Sequence, residues 1–368
     1  MSEGDLFVRH GATPAEADEL AAYTRDQFVP PVDADAQRWP LPDEPFVAAW
    51  RGYADAAERG GAWPELRRRL VQLRFPVREG MSAEPEYLGA TRKGIVPADG
   101  AEGASLVAPE RLRVWLHPTP AGRLPVIVAG ARADFETLVR ALTRRNEPQP
   151  VPASMGACIV GGYNNWDRVA SLRAAWARGE GIGAGGDWDS AFREIMGQRD
   201  LYQDRFVLLS EGPYSGTPAA ALGLDDAEWA AASLTLRLEH ECAHYFTRRV
   251  FGSMSNTLRD ELIADFMGIA AVAGRFRAEW FLRFMGLEDF PRYRAGGRLE
   301  NYRGTPPLSD GAFVVLGRLV HAAAHNLEEW GGPAPAADDF AGKARVLHAL
   351  SSMTLERMAA GRMEPVAA

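Results

Sequence analysis

The chain has 368 residues, 46% of them apolar and 24% charged, a globular composition with enough length for two domains or one domain of two lobes. A net charge of −8 and a pI near 5.5 argue against a nucleic-acid partner, because phosphate binding needs a clustered excess of Lys and Arg. The two distant cysteines, Cys158 and Cys242, make no disulfide framework. No apolar run predicts a membrane span, and the first residues carry no leader pattern, so the expected location is cytoplasmic.

Residues 1–105 read as a helical N-terminal region. Thr13-Pro14-Ala15-Glu16 is a capping box with proline at the first helical position, which predicts a helix through Tyr23. Further helices are expected over residues 48–59 and 63–73, with Arg67, Arg68 and Arg69 as a solvated face. The stretch 97–103 has loop composition and marks a boundary. Apolar runs at 112–116 and 124–128, separated by Pro118-Thr119-Pro120-Ala121-Gly122, have the form of a hairpin. A helix is expected from about 134 to 145, strands at 158–160 and 206–209, and a helix at 169–178. From Asp225 onward the chain reads helical nearly to its end. The fold class expected is therefore α+β and mainly helical. Its parts are a helical region 1–105, an α/β lobe 106–250 and a helical lobe 251–368.

Two glycine-rich segments lie within the α/β part. Gly181, Gly183 and Gly186 match G-x-G-x-x-G, but a helix rather than a strand precedes them, so a flexible loop is expected. Residues 161–168 gather glycine, amide, aromatic and charged groups after an apolar strand. That composition suits either a ligand-facing loop or a turn whose Asn side chains satisfy their own backbone. Near the start, Arg9-His10-Gly11 has no second His-Gly to pair with and carries no catalytic meaning.

The chemistry concentrates in His240-Glu241-Cys242-Ala243-His244. A helix starting at Asp225 or Asp226 and ending near Val250, before Gly252, would stack His240 and His244 on one face, four residues apart. Two imidazoles so placed can reach one metal ion, while Leu238, Cys242 and Phe246 on the opposite face would pack. Glu241 is rotated away from direct ligation. Its carboxylate can instead exchange a proton with a water that the metal acidifies. Seventeen residues after His244 comes Glu261, and four later Asp265. With Thr257-Leu258-Arg259-Asp260 in the form of an N-terminal cap and residues 251–256 forming the turn, Glu261 would return to the metal as third ligand. Asp265, one turn on, would accept the other ring N–H of a ligating histidine.

HECAH followed by ELIAD resembles the gluzincins, the zinc peptidases with H-E-x-x-H and a downstream glutamate. The E-x-x-A-D form is similar to HtpX-like metallopeptidases, and E-x-x-x-D to thermolysin-like ones. The resemblance implies a zincin-like plan: a small sheet precedes the motif helix, a helical lobe follows it, and the metal lies in the cleft between. It also implies His240, His244 and Glu261 as zinc ligands, Glu241 as general base and Asp265 as the group that orients a ligand. Asp260 stands where thermolysin-like enzymes have asparagine. The metzincin continuation is absent, since Thr247 and Val250 occupy its glycine and histidine positions.

Tyr302 and Arg303 follow the third ligand at a place where gluzincins carry a donor to the developing oxyanion. His321 and His325 form another i, i+4 pair, either facing the cleft or lying on a polar helix face. The expected activity is zinc-dependent hydrolysis of a peptide or amide bond, with one Zn2+ per chain. Imidazole and carboxylate ligands also suit manganese, iron or cobalt. The alternatives are a metal-dependent lyase, isomerase or tailoring enzyme on a small metabolite, and a non-catalytic, zinc-stabilised binding protein. The partner expected is a peptide or small-molecule substrate, with no nucleic acid and no membrane.

Overall fold

The computed structural model describes residues 3–25, 37–97, 103–252 and 258–363. The core of the expected boundary loop, 98–102, and the expected turn with its Thr257 cap, 253–257, lie outside the described residues. In chain order the elements are α1 (Glu3–Arg9), α2 (Pro14–Tyr23), α3 (Val47–Gly60), α4 (Ala62–Arg69), α5 (Pro85–Lys93), β1 (Arg113–His117), β2 (Leu124–Ala129), α6 (Arg132–Thr143), β3 (Ala157–Asn164), α7 (Trp166–Ala177), α8 (Trp188–Gly197) and β4 (Gln203–Ser210). Helices α9 (Asp226–Phe251), α10 (Leu258–Ala273), α11 (Ala278–Met285), α12 (Asp310–Trp330), α13 (Phe340–Ser351) and α14 (Leu355–Ala359) complete the described chain. The protein is mainly helical, with one small mixed sheet. Among the described residues no helix is long and apolar enough to cross a membrane.

The chain divides into two compact units, and the division differs from the three-part expectation. One unit holds Met1–Leu41, Thr119–Ala121 and Pro213–Ala368; the other holds Pro42–Pro118 and Gly122–Gly212. The motif helix α9 thus belongs with the C-terminal helices rather than with the sheet, and residues 1–105 are split. The cause is tertiary packing. Arg318 of α12 donates to the His10 carbonyl at 2.7 Å, and the Tyr23 hydroxyl donates to the Tyr302 carbonyl at 2.6 Å. Such contacts tie α1 and α2 to the helical unit.

In the sheet-bearing unit the strand order is β1-β2-β4-β3, with β2 and β4 parallel and both outer pairs antiparallel. Every residue of β2 is buried, as a strand covered on both faces requires. Phe135, Leu138, Val139 and Leu142 of α6 recur at helical spacing and join Ile127, Phe206 and Leu208 in one core. Strand β3 runs past the expected Val160 to Asn164, through a bulge between Gly161 and Tyr163 where Gly162 has a φ of 72°. Asn165 then caps α7, its side-chain oxygen accepting from the Asp167 and Arg168 amides at 3.1 and 3.4 Å. Helices α5 and α8 were not among the expected elements.

The helical unit is built around α9 and α10. Asp225 caps α9 in a reciprocal box with Glu228, and Gly252 ends it at a φ of 68°. Leu238, Cys242 and Phe246 are buried as expected, at 9%, 4% and 0% exposure. Burying a Leu or Phe side chain stabilises by roughly 1.5–3 kcal/mol, which anchors this face of the motif helix. Helix α10 approaches closely because residue 268 is glycine: a Cβ there would lie 2.7 Å from the Leu236 carbonyl oxygen.

Candidate metal centre

Three pairings fix how α9 and α10 face each other. Leu236 meets Gly268, His240 meets Asp265, and His244 meets Asp260. Residue numbers rise along one helix as they fall along the other, so the two helices are antiparallel neighbours in register over two turns. That register delivers His240, His244 and Glu261 to one point, with a ligand atom of each within 4.8 Å of the others. The two Nε2 atoms lie 3.1 Å apart, and the Glu261 oxygens stand 3.5 Å from His240 and 3.6 Å from His244.

The ring protons can be assigned from the partners. His240 Nδ1 lies 2.8 Å from Asp265 Oδ1, and His244 Nδ1 lies 2.8 Å from Asp260 Oδ2. An ionised carboxylate only accepts, so each Nδ1 carries hydrogen and each Nε2 is left with a lone pair when the ring is neutral. Two lone pairs and a carboxylate then converge on one spot. A proton shared between the rings relieves this arrangement, and so does a divalent cation. The donor set, two imidazoles and a carboxylate, is one that zinc accepts. Among the described residues no other His, Cys, Asp or Glu joins this cluster.

Charge shapes the site strongly. Burial would lower the pKa of His244, but Asp260 by charge and hydrogen bond, then Glu261 and Glu241, outweigh it and raise it to about 10. Burial opposes ionisation of Asp265, yet Arg298, His240 and Tyr214 together hold its carboxyl down at about 2. Glu261 is lowered against burial by His240, His244 and Arg298. Glu241, 9% exposed, moves the other way: burial raises its pKa more than the two histidines pull it down.

Three supporting residues had no role assigned from the sequence. Arg298 begins a short 3-10 turn (Arg298–Tyr302), positioned by Gly297, where a Cβ would sit 2.5 Å from the Met285 carbonyl oxygen. Its guanidinium donates to Glu261 at 2.9 Å and to the Tyr214 hydroxyl at 2.7 Å, and lies 3.2 Å from Asp265. Tyr214 sits in a tight turn before α9, its amide donating to Ser233 at 3.0 Å and its hydroxyl to Asp265 at 2.5 Å. Asp260 is the third, noted in the sequence as the end of a cap segment and as standing where thermolysin-like enzymes have asparagine. A sequence signal existed for Asp260 alone, as a second carboxylate beside Glu261.

The remaining candidates fall in two groups. Tyr302 lies at the site's edge, its hydroxyl accepting from Arg298 at 3.3 Å, with burial holding its proton on. Arg303 is turned outward to Glu300 and Asp310, at 3.2 and 2.5 Å. His321 stacks on Phe290 with ring centres 3.9 Å apart and meets the exposed His325 edge-on at 4.6 Å, so the pair forms an aromatic contact on α12.

No curated protein and no solved structure matches this chain. Residues 5–362 match the model of DUF7005, a family of unknown function, and the chain belongs to that family.

Proposed function

We propose that this protein is a zinc-dependent hydrolase of gluzincin type that cleaves a peptide or amide bond. The observation that carries the reading is the convergence of His240 Nε2, His244 Nε2 and the Glu261 carboxylate, each histidine backed at Nδ1 by its own aspartate. Zinc held there supplies Lewis acidity, polarising the scissile carbonyl and acidifying water.

The side chains divide the remaining work. Glu241 takes a proton from the attacking water and returns it to the leaving nitrogen. Its raised pKa suits that traffic, because a general base works best with a pKa near the operating pH. Arg298 holds Glu261 in place and offsets the charge of Asp265. Tyr302, protonated and at the site's edge, donates to the developing oxyanion. A purely structural zinc would call for a closed set of four protein ligands, whereas this cluster offers three among the described residues.

Metal analysis should find about one zinc per chain, lost in His240→Ala. Glu241→Gln should keep the zinc while peptide-library turnover falls by about 10²–10⁴-fold. A folded wild type that takes up no zinc sinks the proposal, and undiminished turnover in Glu241→Gln removes that residue from the chemistry.

A further inference from the structure

The two carboxylates behind the histidines are not equivalent. Asp265 shares its charge widely. Its Oδ1 accepts from His240 at 2.8 Å and from the Tyr214 hydroxyl at 2.5 Å, and the Arg298 guanidinium lies 3.2 Å from Oδ2. Asp260, only 1% exposed, is differently placed: Oδ2 lies 2.8 Å from His244 Nδ1 and Oδ1 lies 3.3 Å from the Thr247 hydroxyl. Among the described residues no Arg or Lys reaches it. Thr247 has a single hydroxyl hydrogen, and the His244 carbonyl competes for it at 3.1 Å. The negative charge of Asp260 is therefore directed almost wholly at one imidazole.

An anion hydrogen-bonded to the Nδ1–H of an imidazole pushes electron density towards Nε2 and strengthens it as a ligand. In a buried site this push is poorly screened, and a neighbouring guanidinium would weaken it. An asparagine at 260 could hold the His244 ring by the same kind of hydrogen bond, so the charge is what the carboxylate adds. We infer that Asp260 is a positioning residue that makes His244 the stronger imidazole donor, so that metal affinity is set chiefly through the Asp260–His244 arm. This rests on the metal reading above and extends it to the source of the site's affinity.

The test is zinc affinity of the full chain, measured by competition with a chromophoric chelator. Asp260→Asn keeps an oxygen acceptor in place and, once the proton that zinc displaces from His244 is counted, should bind zinc about 10–100-fold more weakly than wild type. A second measurement needs no variant: in zinc-loaded protein with 15N-labelled histidine, the Nδ1 proton of His244 should resonate downfield of that of His240. Unchanged zinc affinity in Asp260→Asn, or the reverse order of the two resonances, overturns the inference while leaving the zinc site standing. A wild type that binds no zinc removes the zinc reading and this inference together.

Discussion

Each unit of the molecule buries a network of charged and polar groups, and the two are finished differently. In the sheet-bearing unit, Asp204 is fully buried. It accepts from Trp50 at 2.8 Å, from Asn165 at 2.6 Å and from Arg168 at 2.5 Å. Arg168 spends its other nitrogen on the Asp200 carbonyl at 2.7 Å. Each of these donors meets an acceptor inside the network. Burial dominates this carboxyl, raising its pKa despite Arg168, Asn165 and Trp50. In the helical unit, Asp265 is equally buried but depressed to about 2, because Arg298 and His240 overcome the burial. Its network ends in two Nε2 atoms and a carboxylate turned towards one another. A buried network closed on itself needs no further partner, whereas one that ends in converging acceptors is relieved by a proton or a cation, and this supports the metal reading proposed above.

The contrast predicts where the largest stability loss lies. Asp204→Ala strips the counter-charge from Arg168, itself only 8% exposed, and leaves the Trp50 and Asn165 donors unpaired. Breaking a buried pair on one side costs about 3–5 kcal/mol. Urea unfolding should show a loss of that size in the sheet-bearing unit, and zinc content should stay unchanged. A loss below about 1 kcal/mol would mean that the closed network contributes little, and the comparison would lose its structural half.

What could be read from the sequence depended on how local its cause was. His240 and His244 lie four residues apart and Glu261 and Asp265 likewise, so helical geometry alone places each pair on one face. The α2 capping box at Thr13 and the α9 cap at Asp225 were legible for the same reason. Tyr214 and Arg298 come from tight turns 26 residues before His240 and 37 after Glu261, and no period links them to the motif. Asp260 resembled an ordinary cap because its role depends on α10 lying antiparallel to α9. The membership of α1 and α2 in the helical unit was likewise out of reach, since it rests on contacts with residues near 300–318. Helix α8 did carry a readable signal in its Asp187 cap, obscured by the glycine-rich run before it.

A smaller effect sharpens the other half of the comparison. With its pKa raised to about 10, His244 of the metal-free protein carries a proton at pH 7. Zinc needs the Nε2 lone pair, so loading should release about one proton per ion at pH 7, and almost none once the pH passes about 10. The linkage has a definite sign. The folded value lies above the unfolded value of about 6.5. Stabilisation of the metal-free protein is therefore fully present below about pH 6.5 and lost as pH rises through about 10. Zinc at a hundred times its Kd should add about 2.7 kcal/mol, read as a rise in the unfolding midpoint. Calorimetry in two buffers of different ionisation enthalpy counts the protons. Zinc uptake without proton release at pH 7 would show that His244 is neutral beforehand and that no shared proton holds the site.

The smallest effect concerns how far the rigidity of the site extends along its own helix. Asp225 and Glu228 satisfy each other's backbone amides at 2.8 and 3.2 Å, so Asp225→Ala should cost about 1 kcal/mol. Fraying from that end should stop at Trp229, which is 2% exposed and donates to the Thr217 carbonyl at 2.7 Å. His240 lies eleven residues beyond that anchor, on the stretch that Gly268 and Asp265 hold against α10. Distant sites with no shared partners act independently, so zinc affinity should stay within about twofold of wild type while the melting midpoint falls. If affinity falls along with stability, α9 acts as one cooperative rod from its cap to His244. The metal arms would then owe their precision to the whole helix, and the α9–α10 contact alone would not account for it.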